Sequence, residues 1–463
     1  MSSPDRSHGP WRPGRVSLRL PIRPMPPTPS SPMAQTGSPT RRGFLQALAA
    51  GAGAAVLADF SKLEAATSAG VQRLTQARTD PSGALRADYL VDPAIRYLNH
   101  ASIGTVPRVV HDAHREYSAL CETNPWLYMW GGGWEEARED VREKAGHLLG
   151  VDPEDVAITH NTTEAFNLLA RGLPLGSGDE VLFTNLNHPG ASVAWERFGP
   201  ERGYSVRRTT IPLERSAQLT EADLVEAHDR AIGPRTRVLV VPHLDNIVGL
   251  RHPLRALVEA ARARGVEYVA VDGAQTAGML PLDLDATGFD FYATSGHKWI
   301  QSPKGLGLLY IRRELRDSLT PLWVTWGQER WAGTARIFED YGTRNLPELL
   351  AMGDALDVQR SLGDGWKLER YRTLREHLRQ VVEAAPELTW RSPPDLETGG
   401  PLVAIERRGA DAGRLGRWLW EEHQTVVRAF SGEPLNTIRV SPNVVTSESE
   451  LDGLVKLLRT HAP

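Results

Sequence analysis

The strongest constraint on this chain is a regular alternation. Between residues 90 and 345, short apolar runs are separated by stretches with helical spacing. The apolar runs are 156–159 (VAIT), 180–185 (EVLFTN), 237–243 (RVLVVPH), 267–272 (EYVAVD), 289–294 (FDFYAT) and 305–312 (GLGLLYIR). Helical spacing marks 135–149, 164–171 and 254–264. Strands that are apolar at most positions need cover on both faces, and interleaved helices supply it. The expected fold is therefore α/β. A large domain over 90–345 carries a mostly parallel sheet of seven-stranded type, sandwiched by helices.

After about residue 345 the texture changes. Long, charged amphipathic stretches cover 347–360 and 365–383, followed by an apolar run at 401–406 and further helical stretches at 412–422 and 448–460. This predicts a smaller C-terminal α+β domain over 346–463, with the segment near 80–100 packing on it. The run Trp130-Gly131-Gly132-Gly133-Trp134 reads as a loop, either lining a site or lying on the surface.

The first 65 residues have a different composition. Residues 1–42 hold seven arginines and one acid, a charge of +6, and ten of the 33 prolines precede residue 40. The whole chain of 463 residues has a formal charge of -4, so the remainder sums to -10. A Pro/Ser/Arg-rich stretch without apolar periodicity is expected to be disordered. Arg41-Arg42, then Phe44-Leu45 and a short Ala/Leu/Gly run to Ala58, resemble a twin-arginine export signal. That reading implies the twin-arginine machinery as a partner and a periplasmic or extracellular destination. Cleavage is expected after Ala58 or Ala65, and translation starting at Met25 or Met33 would give a signal of ordinary length.

Charge and composition narrow the function. A net charge of -4 argues against bulk-charge nucleic-acid binding. The one cysteine, Cys121, excludes a disulfide framework and a cysteine-rich zinc site, and no His-Glu-x-x-His spacing occurs among the 14 histidines. No metal and no nucleic acid are expected.

Four segments carry chemistry. Lys298, in Ser295-Gly296-His297-Lys298 just past a strand, suits a Schiff-base lysine, with Ser295 and His297 placed to hold a phosphate; Lys304 is the decoy. Asn161-Thr162-Thr163-Glu164 stands between a strand and a helix, where it reads either as an anion cradle or as a plain N-cap. Asp272 ends a strand, where a carboxylate meets the ligand crevice of an α/β sheet, and Gln275 follows it. His188, in Asn187-His188-Pro189-Gly190, is also at a strand end.

Together with His243-Leu244-Asp245-Asn246-Ile247-Val248-Gly249, Gly342-Thr343-Arg344-Asn345 and Ile438-Arg439-Val440-Ser441-Pro442, these segments resemble the class V aminotransferase family of pyridoxal 5'-phosphate (PLP) enzymes. That family also holds cysteine desulfurases and isopenicillin N epimerase-like members, and the pattern here is nearer the latter. The resemblance spans roughly residues 90–460. It implies PLP as cofactor, an amino acid or peptide substrate and a homodimer. It makes Lys298 the Schiff-base lysine and the base at the substrate Cα. Asp272 would pair with the pyridine nitrogen, and His188 would stack on the ring. Thr162, Thr163, Ser295 and His297 would bind the phosphate, Asn246 and Gln275 the ring oxygen region. Thr343 would reach the neighbouring subunit's phosphate. Arg439 would clamp the substrate α-carboxylate, and Arg344 a second carboxylate.

A desulfurase of this family needs a cysteine shortly before the Arg439 segment. Here Arg428-Ala429-Phe430-Ser431-Gly432-Glu433-Pro434 has none. Amino-group transfer, Cα epimerisation and cysteine-independent C–S lysis remain, with a class V transferase expected first. An inactive binding relative would lack Lys298 or Asp272, and both are present.

Overall fold

In the computed structural model, residues 54–78, 84–126, 128, 133–432 and 434–460 are described. The paired arginines at 41–42, most of the 45–58 run and most of the 130–134 loop lie outside them. Gly133 and Trp134 open a helix.

A seven-stranded sheet forms the centre: β1 (Val156–Thr159), β2 (Glu180–Thr184), β3 (Ser205–Thr209), β4 (Thr236–Pro242), β5 (Tyr268–Asp272), β6 (Phe291–Ser295) and β7 (Gly307–Ile311). Their spatial order is β1-β7-β6-β5-β4-β2-β3. Only β7 runs against its neighbours, pairing antiparallel with β1 and β6. The other pairings are parallel, and the strands inside the sheet are apolar at most positions, as cover on both faces requires.

Within each strand the side chains part to opposite faces. Leu239 and Val241 of β4, with Val269 and Val271 of β5, join one core. Val238, Val240 and Ala270 join the other. The first core is covered by α3 (Gly133–Leu149) and α7 (Leu254–Ala263), the second by α4 (Thr162–Gly172) and α5 (Pro189–Arg202). Helix α6 (Glu221–Ala231) precedes β4.

Within this sheet, β3 is the strand that the sequence pattern did not reveal. Its sequence, SVRRT, is polar because it closes the sheet at an edge. Arg207 pairs there with Glu180 and Arg208 with Glu196. Charged edge strands resist pairing with other chains.

The C-terminal part holds a four-stranded antiparallel sheet of β8 (Leu388–Trp390), β9 (Val403–Arg407), β10 (Arg428–Phe430) and β11 (Thr437–Val440), in the order β10-β11-β9-β8. Helices α9 (Asp364–Glu383), α10 (Ala412–His423) and α11 (Glu448–Thr460) cover it through Leu374, Leu378, Leu419, Leu454 and their neighbours. Residues Arg96–Tyr97 pair in parallel with Thr425–Val426, which ties the segment before the large sheet to this part.

Helix α8 (Leu346–Leu362) packs differently from its place in the chain. Leu349, Met352 and Leu356 enter the large-sheet core, while Ala351, Ala355 and Val358 face a second cluster with Leu74 of α1 (Ala54–Ala77) and Val110 of α2 (Arg108–Thr123). The helix is buried along most of its length, Asp354 and Gln359 included, although its sequence carries charge. By packing, α8 therefore belongs to the large sheet, and the small part begins after it. Among the described residues no helix is long and apolar enough to cross a membrane.

Candidate active site

The residues singled out in the sequence gather at the carboxyl ends of the parallel strands. Thr159 leads to Asn161-Thr162, Thr184 to His188, Pro242 to Asn246, Asp272 closes β5, and Ser295 leads to Lys298. That edge is where open α/β sheets bind ligands.

Lys298 is buried at 9% exposure, whereas Lys304 is exposed. Burial lowers the Lys298 pKa to about 8, with the Asp272 carboxylate pulling it back up and the Arg439 cation pushing it further down. The amine thus loses its proton near pH 8 rather than near 10.5, which makes the neutral form that a nucleophile or base requires far more accessible. Asp272 is buried, and its Oδ1 accepts from the Ala274 N–H at 3.0 Å.

The anion cradle and the N-cap turn out to be different residues. Asn161 caps α4, its Oδ1 accepting from Glu164 N at 3.0 Å. The Thr162 hydroxyl is therefore released to Ser295, with Oγ–Oγ at 2.8 Å and Thr162 N donating to Ser295 Oγ at 3.0 Å. Hydroxyls and an amide converge at a helix N-terminus, a donor set suited to phosphate. Thr163 is exposed beside Gly190.

His188 stands at the mouth of the site. Its Nδ1 accepts from Gly190 N at 3.0 Å, so the ring proton is on Nε2. Partial burial, then the Lys298 cation, lower its pKa; Arg439 and Arg428 add to this and Asp272 opposes it. A neutral ring is the form that stacks on a flat heterocycle. His297 is driven down to about 4 by burial and by Lys298 and Lys304. Its backbone carbonyl accepts from Gly104 N.

Arg439 is 2% exposed and tightly held. Its Nη1 donates to Asn246 O at 2.7 Å, and its Nη2 to Asn99 Oδ1 at 2.8 Å and Ser102 Oγ at 2.7 Å. The Asn246 carbonyl is presented by a turn that Asp245 ties down by accepting from Ile247 N and Val248 N. Asn99, Ser102 and Asp245 escaped the sequence reading. The first two lie in the unremarked run Leu98-Asn99-His100-Ala101-Ser102, and nothing local marks them as partners of an arginine more than 300 residues away.

Two residues are placed apart from these roles. The Gln275 amide is engaged at both ends, donating to Ala101 O at 2.9 Å and accepting from Trp299 Nε1 at 2.8 Å. Arg344 is buried against Glu339, with Nη1 at 3.2 Å, in a cluster shared with Arg142. Thr343 follows Gly342 and is exposed. Among the described residues no group of three or more His, Cys, Asp or Glu would hold a metal.

The aminotransferase class-V family model matches residues 96–452. The chain belongs to the class V aminotransferase family. Members similar to it include the isopenicillin N epimerases of Streptomyces clavuligerus, 32% identical over 81% of this chain and 96% of that protein, and of Amycolatopsis lactamdurans, 32% identical over 81% and 97%. A cysteine desulfurase of Klebsiella pneumoniae (strain 342) is 30% identical over 70% of this chain and 78% of that protein. Among solved structures, the cystine C–S lyase C-DES in complex with its product cysteine persulfide superposes with a TM-score of 0.72 at 25% identity, over 80% of this chain and 98% of that one. A C-DES variant with glycine covalently linked to the PLP cofactor gives 0.74 at 24% identity. As a class V enzyme the chain depends on PLP. A buried amine, a strand-end carboxylate and a hydroxyl-lined helix N-terminus fit that group at three separate points.

Proposed function

We propose that this enzyme acts at the Cα of an amino acid or peptidyl amino substrate, and that Lys298 moves the Cα proton. The observation that carries the reading is the buried Lys298 amine, pushed to about 8 between Asp272 and Arg439. PLP, when bound, supplies the electron sink for the pair left at Cα. Asp272 would keep the pyridine nitrogen protonated, Thr162 and Ser295 would hold the phosphate, and His188 would cover the ring. Arg439 takes the α-carboxylate in a bidentate fork and so orients the Cα–H bond toward Lys298.

Among the outcomes open to such a site, epimerisation is the one we favour over the amino-group transfer that the family name suggests. It is supported by 32% identity to two isopenicillin N epimerases over nearly their whole length. A persulfide route has less support. The segment before Arg439 lacks cysteine, and Cys121 is buried on α2 with its thiol raised to about 11 by burial and by Glu122. Incubating single enantiomers with the holoenzyme in deuterium oxide tests the reading. Deuterium at Cα with loss of optical purity is expected. A 2-oxo acid with pyridoxamine phosphate would show transfer instead, and released sulfide or pyruvate would show lysis.

We further propose a homodimer and export by the twin-arginine route. Exposed Trp323, Val324 and Trp326, in the loop whose Trp323 Nε1 donates to Glu164 Oε1 at 3.3 Å, support the first. The arginine pair and the apolar run behind it support the second. Both cleavage candidates precede Thr67 and Leu74, which are buried on α1.

A further inference from the structure

Arg428 stands directly opposite Arg439 across the antiparallel pair β10–β11. Directly opposed residues project to the same face of a sheet. Phe430, two residues along β10 and hence also on that face, has both guanidinium carbons 5.8 Å from its ring centre. Among the described residues Arg439 is engaged by Asn246, Asn99 and Ser102, but Arg428 has no hydrogen bond or ion pair and is exposed. Like charges directly opposite on a β-pair are destabilising. A solvated arginine on an edge strand is common. This one differs because its side chain shares a face, and an aromatic platform, with the buried α-carboxylate residue.

We propose that Arg428 is a second anion-binding residue of this site, and that the substrate carries a distal carboxylate besides the α-carboxylate held by Arg439. The inference rests on the reading of the site as acting at an amino acid Cα. A distal carboxylate would sit beside Phe430, satisfy the free guanidinium and relieve the Arg428–Arg439 repulsion. The cysteine-free 428–434 segment thereby becomes a specificity element. It replaces Arg344, which Glu339 occupies, as the residue for a second carboxylate.

Dissociation constants for aspartate, glutamate and 2-aminoadipate, compared with 2-aminobutyrate, norvaline and norleucine of matched length, test this. They are read from the visible absorption change of the holoenzyme, for both enantiomers. At least one diacid is expected to bind about tenfold or more tightly than its matched monoacid, as a charge-assisted pair allows. Arg428→Gln should erase that ratio, and Arg428→Lys should restore part of it. Equal binding of every diacid and its monoacid, or a ratio unchanged in Arg428→Gln, overturns the proposal alone. A yellow holoenzyme whose spectrum responds to none of the six overturns both it and the amino acid reading.

Discussion

The backbone of Gly104 lies directly against that of Lys298. Gly104 N donates to His297 O at 2.7 Å, and a Cβ on residue 104 would overlap the Lys298 carbonyl. The segment before α2 thus fixes the peptide from which the Lys298 amine projects. Replacing Gly104 with Ala must shift one backbone or the other, at a cost of about 1–3 kcal/mol for overpacking. The expected result is a lower melting temperature and weakened retention of PLP, followed by the visible absorption of the cofactor. A Gly104→Ala protein with unaltered melting and spectrum would contradict the contact.

Lys298→Ala should abolish turnover and the visible band that borohydride removes from the parent enzyme. Lys304→Ala should retain both, because Lys304 is exposed six residues beyond the buried amine. If the band is lost only in the Lys304 variant, the assignment of the lysine is wrong.

The depressed pKa of Lys298 makes the apoenzyme's stability depend on pH. Folding lowers this pKa from 10.5 to about 8, so between those values the unfolded chain binds more protons than the folded one. Stability contributed by this site therefore rises with pH across that window, by about 3 kcal/mol in total. Urea unfolding of the apoenzyme against Lys298→Met should show the difference between the two proteins changing over pH 8–10. A constant difference would mean that the buried amine is not shifted.

Ser295→Ala should raise the dissociation constant for PLP about tenfold, the scale of one lost hydrogen bond to a charged group. Asn161→Ala should cost about 1 kcal/mol of stability through the lost α4 cap. Fluorescence titration of the apoenzyme with PLP separates the two effects. Equal PLP affinity in Ser295→Ala and the parent would remove Ser295 from the phosphate site.

Arg41→Lys with Arg42→Lys should leave the protein in the cytoplasm of the expressing bacterium. Cell fractionation with an active-site assay reads the outcome, and normal export of the double variant would exclude the twin-arginine route.

Much of this site was legible in the chain because its chemistry sits in short runs. Thr162, His188, Asp272, Ser295 and Lys298 each follow an apolar strand by zero to four residues, and strand ends of a parallel sheet share one edge. Local sequence therefore identified the fold class and the residues that the fold gathers at that edge. The polar strand β3 was hidden for the opposite reason. An edge strand needs no apolar run on an exposed face, and apolar runs were the signal by which the other strands of the large sheet were read.

The sequence alone determined the α/β class, the PLP lysine motif and the absence of a desulfurase cysteine before Arg439. Tertiary structure decided which groups surround them. Asn99 and Ser102 reach Arg439 across some 340 residues, Glu339 occupies Arg344, and Arg428 is left free beside Phe430. A motif is written in neighbouring residues and keeps its meaning wherever the chain goes. Which arginine is neutralised and which faces the substrate depends on packing between elements distant in sequence, and only the folded chain brings those together.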